Sequence, residues 1–95
     1  MNEDMEEDQR LALAQIGHPK HLDTLINDSY YAVRREVAKY GDDSHRDKLI
    51  KDKEPGVRLR VAKYGNKDHA TSRLKDRDAD VRNAAKKRLK ELGET

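Results

Sequence analysis

Three histidines, His21, His45 and His69, recur at one constant interval, 24 positions each time, and imidazole is the commonest metal ligand and a general base near neutral pH. Asp4, Asp28, Asp52 and Asp76 keep the same interval, as do Arg10, Arg34, Arg58 and Arg82. Carboxylates can move protons or bind cations, and the guanidinium fork captures phosphate or carboxylate through paired N–H bonds. Cysteine is absent, which excludes disulfides, thiolate catalysis and cysteine-based zinc sites. The chain holds no Ser–His–Asp arrangement, glycine-rich phosphate loop or cofactor fingerprint. Paired carboxylates such as Asp42 with Asp43, or Asp78 with Asp80, read as helix caps. The expectation is a protein without catalytic residues, metal or cofactor.

The interval itself says more than any one residue. Gly17, Gly41 and Gly65 obey it, and so do Val33, Val57 and Val81. Residues 33–56 and 57–80, aligned without a gap, share 10 identities in 24. Unrelated segments would share about 1–2 at ordinary composition. Charged residues fill 42% of the 95-residue chain, Val, Leu and Ile number 17, and Phe and Trp are absent, a composition that borders on disorder. A disordered chain has no reason to hold a 24-residue register, whereas stacked supersecondary units do.

One unit shows what is stacked. Glu54 serves as N-cap and Pro55 fits the first helical turn, where its missing N–H costs nothing. Val57, Val61 and Tyr64 follow at i, i+4 and i+7 on one helical face. Gly65 ends the helix, with glycine expected in the left-handed conformation, and Asn66 caps a second, shorter helix over 67–75 with Ala70 and Leu74. The preceding unit repeats this with Val33, Val37, Tyr40, Gly41, Asp42, Leu49 and Ile50. The first uses Leu13, Ile16, Gly17, His18 as a weaker cap, Pro19, Leu22, Leu25 and Ile26. Units over about 9–32, 33–56 and 57–80 and a closing helix over 81–92, with Gly93 as its stop, form one helical-repeat domain, 9–95. Residues 1–8 are an acidic N-terminal segment suited to a helix start.

The string VRREVAKYGDDSHRDKLIKDKEPG followed by VRLRVAKYGNKDHATSRLKDRDAD resembles the leucine-rich repeat variant and related HEAT-like families. The shared features are Val-Arg-x-x-Val-Ala, a Gly or Asn corner, Leu-x-x-Leu-like spacing and an Asp before the next Val-Arg, over residues 9–92. The resemblance implies an all-α fold, a short right-handed α-solenoid of 24-residue helix–turn–helix repeats used mainly as an interaction scaffold. Some relatives carry an iron–sulfur cluster and some are DNA glycosylases; the chain lacks the cysteines of the first and the tryptophans of the second.

Within such a stack, Arg34, Arg58 and Arg82 with Asp28, Asp52 and Asp76 are expected to form a ladder tying units together, with Gly17, Gly41 and Gly65 at the corners. Zinc ligands lie about 2.0–2.1 Å from the ion. Stacked helices stand about 8–10 Å apart, so the ladder histidines cannot share a metal. They are expected to pack over the corner or to hydrogen-bond in the turn; His18 with His21, at i and i+3, is a closer pair without a clear third ligand.

Candidate partner-binding residues are Tyr30 and Tyr31, adjacent aromatics in an inter-repeat turn, and Arg35, Leu59, Lys39, Lys63 and Lys87. The helical wheel puts positions 35, 59 and 83 and the lysine row opposite the apolar arc, Leu59 exposed, with no aromatic row beside the lysines. The positions that vary between units, 35/59/83, 36/60/84 and 22/46/70, are where recognition is expected. Beyond residue 8 there are 21 basic residues against 14 acidic ones, although the whole chain carries only +2. Another protein is the expected partner, bound through the variable positions. Sequence-tolerant nucleic-acid binding by the lysine stripe is the alternative. No apolar run reaches the roughly 18 residues of a membrane span, and a cytoplasmic location is expected. Val57→Asp, which places a charge at a repeated valine, should unfold the chain cooperatively, read as loss of helical circular dichroism.

Overall fold

A valine that returns at a fixed interval is buried repeatedly only if the segments bearing it lie side by side. The computed structural model, which describes residues 5–93, has that arrangement and is all-α: among the described residues there are seven helices and no strand. Four longer helices, α1 (Glu7–Ile16), α3 (Tyr31–Tyr40), α5 (Pro55–Tyr64) and α7 (Ala79–Glu91), start one repeat interval apart. Three shorter ones, α2 (Pro19–Leu25), α4 (Asp43–Leu49) and α6 (Lys67–Ser72), keep the same interval. Each long helix packs on the next, and each short helix lies against the long helices on either side of it in the chain. The result measures 45 × 23 × 17 Å. Asp4 and the rest of residues 1–4 lie outside the described residues.

Local chemistry sets the boundaries. Pro19 and Pro55 occupy first turns, and the carboxylates of Asp42 and Asp78 and the Asn66 amide oxygen accept the orphan N–H groups of α4, α7 and α6. Three bounds differ from expectation. Helix α1 begins at Glu7, where Glu6 and Gln9 form a reciprocal capping box, so two acids of the N-terminal segment stabilise its first turn. Helix α7 begins at Ala79 because Asp78 caps it. Helix α6 stops at Ser72, and 73–75 continue as a turn held by Arg73 N–H to Ala70 and Leu74 N–H to Thr71.

Val33, Val37, Val57, Val61 and Val81 are wholly buried. The first four join Ala14, Leu22, Leu25, Ile26, Ala38 and Leu49 in one cluster, and Val81 with Ala62 and Ala85 makes a second. Burying each such aliphatic side chain stabilises by about 1.5–3 kcal/mol, and the alanines at 38, 62 and 85 let neighbouring helices approach closely.

The corner glycines serve two different ends. Gly17 has φ 78° and takes the left-handed role. Gly41 and Gly65 do not: both are extended, at φ −80° and −79° with ψ near 180°. Glycine is required there by crowding. A methyl on Gly41 would stand 2.6 Å from the Val37 carbonyl oxygen and 2.8 Å from His45 Nδ1. On Gly65 it would stand 2.5 Å from the Val61 carbonyl oxygen and 2.6 Å from His69 Cβ. Gly17 has room, its closest contact being the Tyr40 carbonyl oxygen at 3.6 Å. Gly65→Ala should therefore cost about 2–3 kcal/mol through overpacking, and Gly17→Ala about 1–2 kcal/mol through strain at positive φ. Urea denaturation of the two variants checks the ranking.

Candidate functional site

Guanidinium groups facing the inter-repeat turns are the first candidates for chemistry, and the structure shows what occupies them. Arg34 Nε donates to Asp52 Oδ2 at 2.7 Å, Nη2 to Asp52 Oδ1 at 3.2 Å and Nη1 to the Asp28 carbonyl at 2.6 Å. Arg58 repeats this with Asp76 and the Asp52 carbonyl, and Arg10 makes the same fork on Asp28. Arg82 Nη1 donates to the Asp76 carbonyl. The carboxylate partner thus lies 18 residues downstream. The aspartate six residues upstream contributes its main-chain oxygen. Each carboxylate also accepts the N–H two residues on, at Tyr30, Glu54 and Asp78. These forks hold the turns together and are not free to capture a ligand.

Burial works to raise the Asp76 carboxyl. The hydrogen bonds from Arg58 and the Asp78 N–H, with the charges of Arg58 and Arg73, outweigh it and hold Asp76 below the ordinary carboxylate value. At the surface, the Ser44 hydroxyl leads the interactions that lower Asp42, joined by the His45 and Ser44 N–H groups against a penalty from burial.

His45 and His69 are buried caps, whereas His21 is half-buried with its ring 5.3 Å from that of His18, which caps α2. His45 Nδ1 accepts the Asp42 N–H at 3.0 Å and its Nε2 lies 2.8 Å from Asp23 Oδ1. His69 Nδ1 accepts the Asn66 N–H, and Nε2 lies 2.7 Å from Asp47 Oδ1. An Nδ1 that accepts leaves the proton on Nε2, so each ring donates to an aspartate of the preceding unit. Asp23 and Asp47 share the 24-residue interval, a signal in the sequence that would have found this contact. Among the described residues no group of three or more His, Cys, Asp or Glu could hold a metal.

The variable positions divide differently from the wheel. Arg35 is half-buried, with its Nε buried and unpaired, its guanidinium 5.8 Å from the Tyr31 ring and its Cδ against Gly56 of α5. Leu59 is half-buried too, packed on the Ala62, Val81 and Ala85 cluster. A helix between two neighbours buries a wider arc than a one-sided amphipathic helix, which turns positions 35 and 59 from outward to inter-helical. Leu22 and Ala70 are core, and Arg46 folds back onto the carbonyls of Ala38, Lys39 and Gly41, neutralising the C-terminus of α3. Tyr30 packs on the core, while Tyr31 is exposed and meets it edge to face at 5.7 Å.

The exposed candidate surface is the row where the long helices end. Ile16 is 72% exposed and Tyr40 41%, with Tyr64 half-buried and Arg88 at the next equivalent position. Lys39 Nζ sits 5.0 Å from the Tyr40 ring centre and 5.8 Å from that of Tyr64, and Lys63 Nζ is 5.3 Å from Tyr64. An aromatic row therefore does accompany the lysines, contrary to the sequence expectation. Equivalent helix ends are brought together by stacking, which places the tyrosine of one unit beside the lysine of another. A cleft of about 330 Å³ lined by Lys63, Tyr64, Lys87 and Arg88 continues the row between α5 and α7. Arg88 Nε donates to the Gly65 carbonyl at 2.8 Å and so caps α5.

The lowered Asp76 value fixes the sign of one pH effect. The Arg58–Asp76 contribution is complete above the ordinary carboxylate range and is lost as pH falls from about 4 through the lowered folded value. Asp76→Asn should cost about 3–5 kcal/mol at pH 7 by leaving Arg58 buried without its countercharge. The gap between the urea midpoints of wild type and variant should close as pH drops below 4. In comparisons with family models, with curated proteins and with solved structures, nothing matches the chain.

Proposed function

We propose that the chain is a short HEAT-like, leucine-rich-repeat-variant type α-solenoid that works as a non-catalytic scaffold, binding another protein along the ridge at the ends of its long helices. The observation that carries this reading is the row of exposed Ile16 and Tyr40 and half-buried Tyr64, with Lys39 and Lys63 over the tyrosine rings and Lys87 lining the cleft beside Tyr64. Ladder arginines, corner glycines and capping histidines spend their polar groups on the fold. Lys39, Lys63 and Lys87 make no ion pair among the described residues, and Ile16 and Tyr40 stay exposed beside them. Tyrosine supplies contact area at low conformational cost, and lysines beside it favour an acidic partner segment. Tyr31, exposed at the far end of α3, is a second anchor.

A second reading, nucleic-acid binding, is favoured by the interleaving of lysine and tyrosine, since stacking platforms within a basic track bind single strands without sequence preference. The ring faces of Tyr40 and Tyr64 already carry ammonium groups within 5.8 Å, which competes with base stacking. No described helix is long and apolar enough to cross a membrane.

Affinity capture from the native host separates the two. Proteins retained by the wild type, unaffected by nuclease and lost with Tyr40→Ser/Tyr64→Ser, are the outcome expected for the scaffold. Retention abolished by nuclease, with oligonucleotide binding that falls steeply with salt and disappears in Lys39→Glu/Lys63→Glu/Lys87→Glu, would establish the second reading instead.

A further inference from the structure

The third inter-repeat turn departs from the other two at one buried position. Leu25 and Leu49 are 0% and 3% exposed and close the first two turns from beneath. The equivalent residue 24 positions on is Arg73. In place of a leucine plug there is a hollow of about 470 Å³ between the turn from α4 to α5, α5 itself, the end of α6 and the turn that follows it.

Its lining is cationic in a way the ladder does not consume. Asp76 is held by Arg58, and Asp52, also on the wall, is held by Arg34 from outside it. That leaves Lys51, Arg73, Lys75 and Arg77 around the opening. Lys51, Lys75 and Arg77 are exposed and make no ion pair among the described residues. Arg73 Nε donates to the Ser72 carbonyl at 3.1 Å and Nη1 to Asp76 Oδ2 at 3.2 Å, and Nη2 has no partner among the described residues. One turn earlier the corresponding positions are Asn27, Leu49, Lys51 and Lys53, with fewer cations and a filled floor. A partly buried guanidinium with a free N–H, ringed by unpaired cations, matches the geometry and charge of a tetrahedral oxyanion.

We propose that this hollow is a phosphate-binding site, with Arg73 as its floor and Lys51, Lys75 and Arg77 as its rim. It lies at the start of α5 and α7, about 15 Å from the lysine and tyrosine ridge by the length of ten helical residues, and does not depend on the function proposed for that ridge.

The test is a titration of the full chain with sodium phosphate at constant ionic strength, followed by amide chemical shifts. Saturable changes confined to residues 51–53 and 72–77 are expected. Arg73→Leu restores the residue of the other two turns, and it should keep the helical content and weaken binding at least tenfold. Lys75→Ser/Arg77→Ser, changes at exposed positions, should weaken it at least threefold. Lys39→Glu/Lys63→Glu/Lys87→Glu should leave it unchanged. A parallel titration with phenyl phosphate identifies the source: tighter binding of the ester marks a phosphorylated molecule, and equal binding the free ion. Changes that do not saturate, that sodium chloride reproduces, or that survive in Arg73→Leu would overturn the proposal.

Discussion

A guanidinium that reaches both ways along the chain holds this molecule in register. Arg34 takes the carbonyl of Asp28 in the turn before it and the carboxylate of Asp52 in the turn after it, and Arg58 does the same one unit on. Two turns are thereby fixed by one side chain, and the aspartate that ends one rung fixes the N–H that opens the next helix. Buried ion pairs seldom add much net stability over a well-packed apolar alternative, because desolvation offsets the attraction. Their value here is specificity of register: a slipped unit would strand a buried charge.

That constraint explains how so thin a core suffices. The interior is five valines, a few leucines and alanines, with no Phe or Trp, and small side chains suit helices that must approach closely at every step. The polar groups exposed by many helix ends are met locally. His45 and His69 accept the N–H groups of their own caps and donate across to Asp23 and Asp47, and Arg46 and Arg88 cover the carbonyls of α3 and α5. Side chains that meet none of these needs collect at the helix ends and around the third turn.

The helical class, the interval and the caps at Asp42, Asn66, Pro19 and Pro55 were legible in the sequence because each depends on contacts within a few residues. The partner of each ladder arginine was only half legible. Six residues separate Arg34 from the aspartate upstream, but packing of the next turn brings the downstream carboxylate to the guanidinium. The crowding at Gly41 and Gly65 comes from the carbonyl four residues back and the imidazole four residues on, and it was missed because it depends on the extended backbone these glycines adopt in place of the left-handed one. Leu59 and Arg35 were misplaced because a helical wheel knows one neighbour and these helices have two. The tyrosines and lysines of the ridge lie next to each other only once the units are stacked.

The rungs span 18 and six residues, both shorter than the 24-residue unit. Copying one whole unit into the middle of the chain would regenerate every guanidinium–carboxylate match, whereas inserting any other length would orphan one. Growth by duplication therefore carries no electrostatic penalty, and drift in unit length does, which makes the charge pattern itself a ruler that keeps such an array periodic while its outer residues diverge.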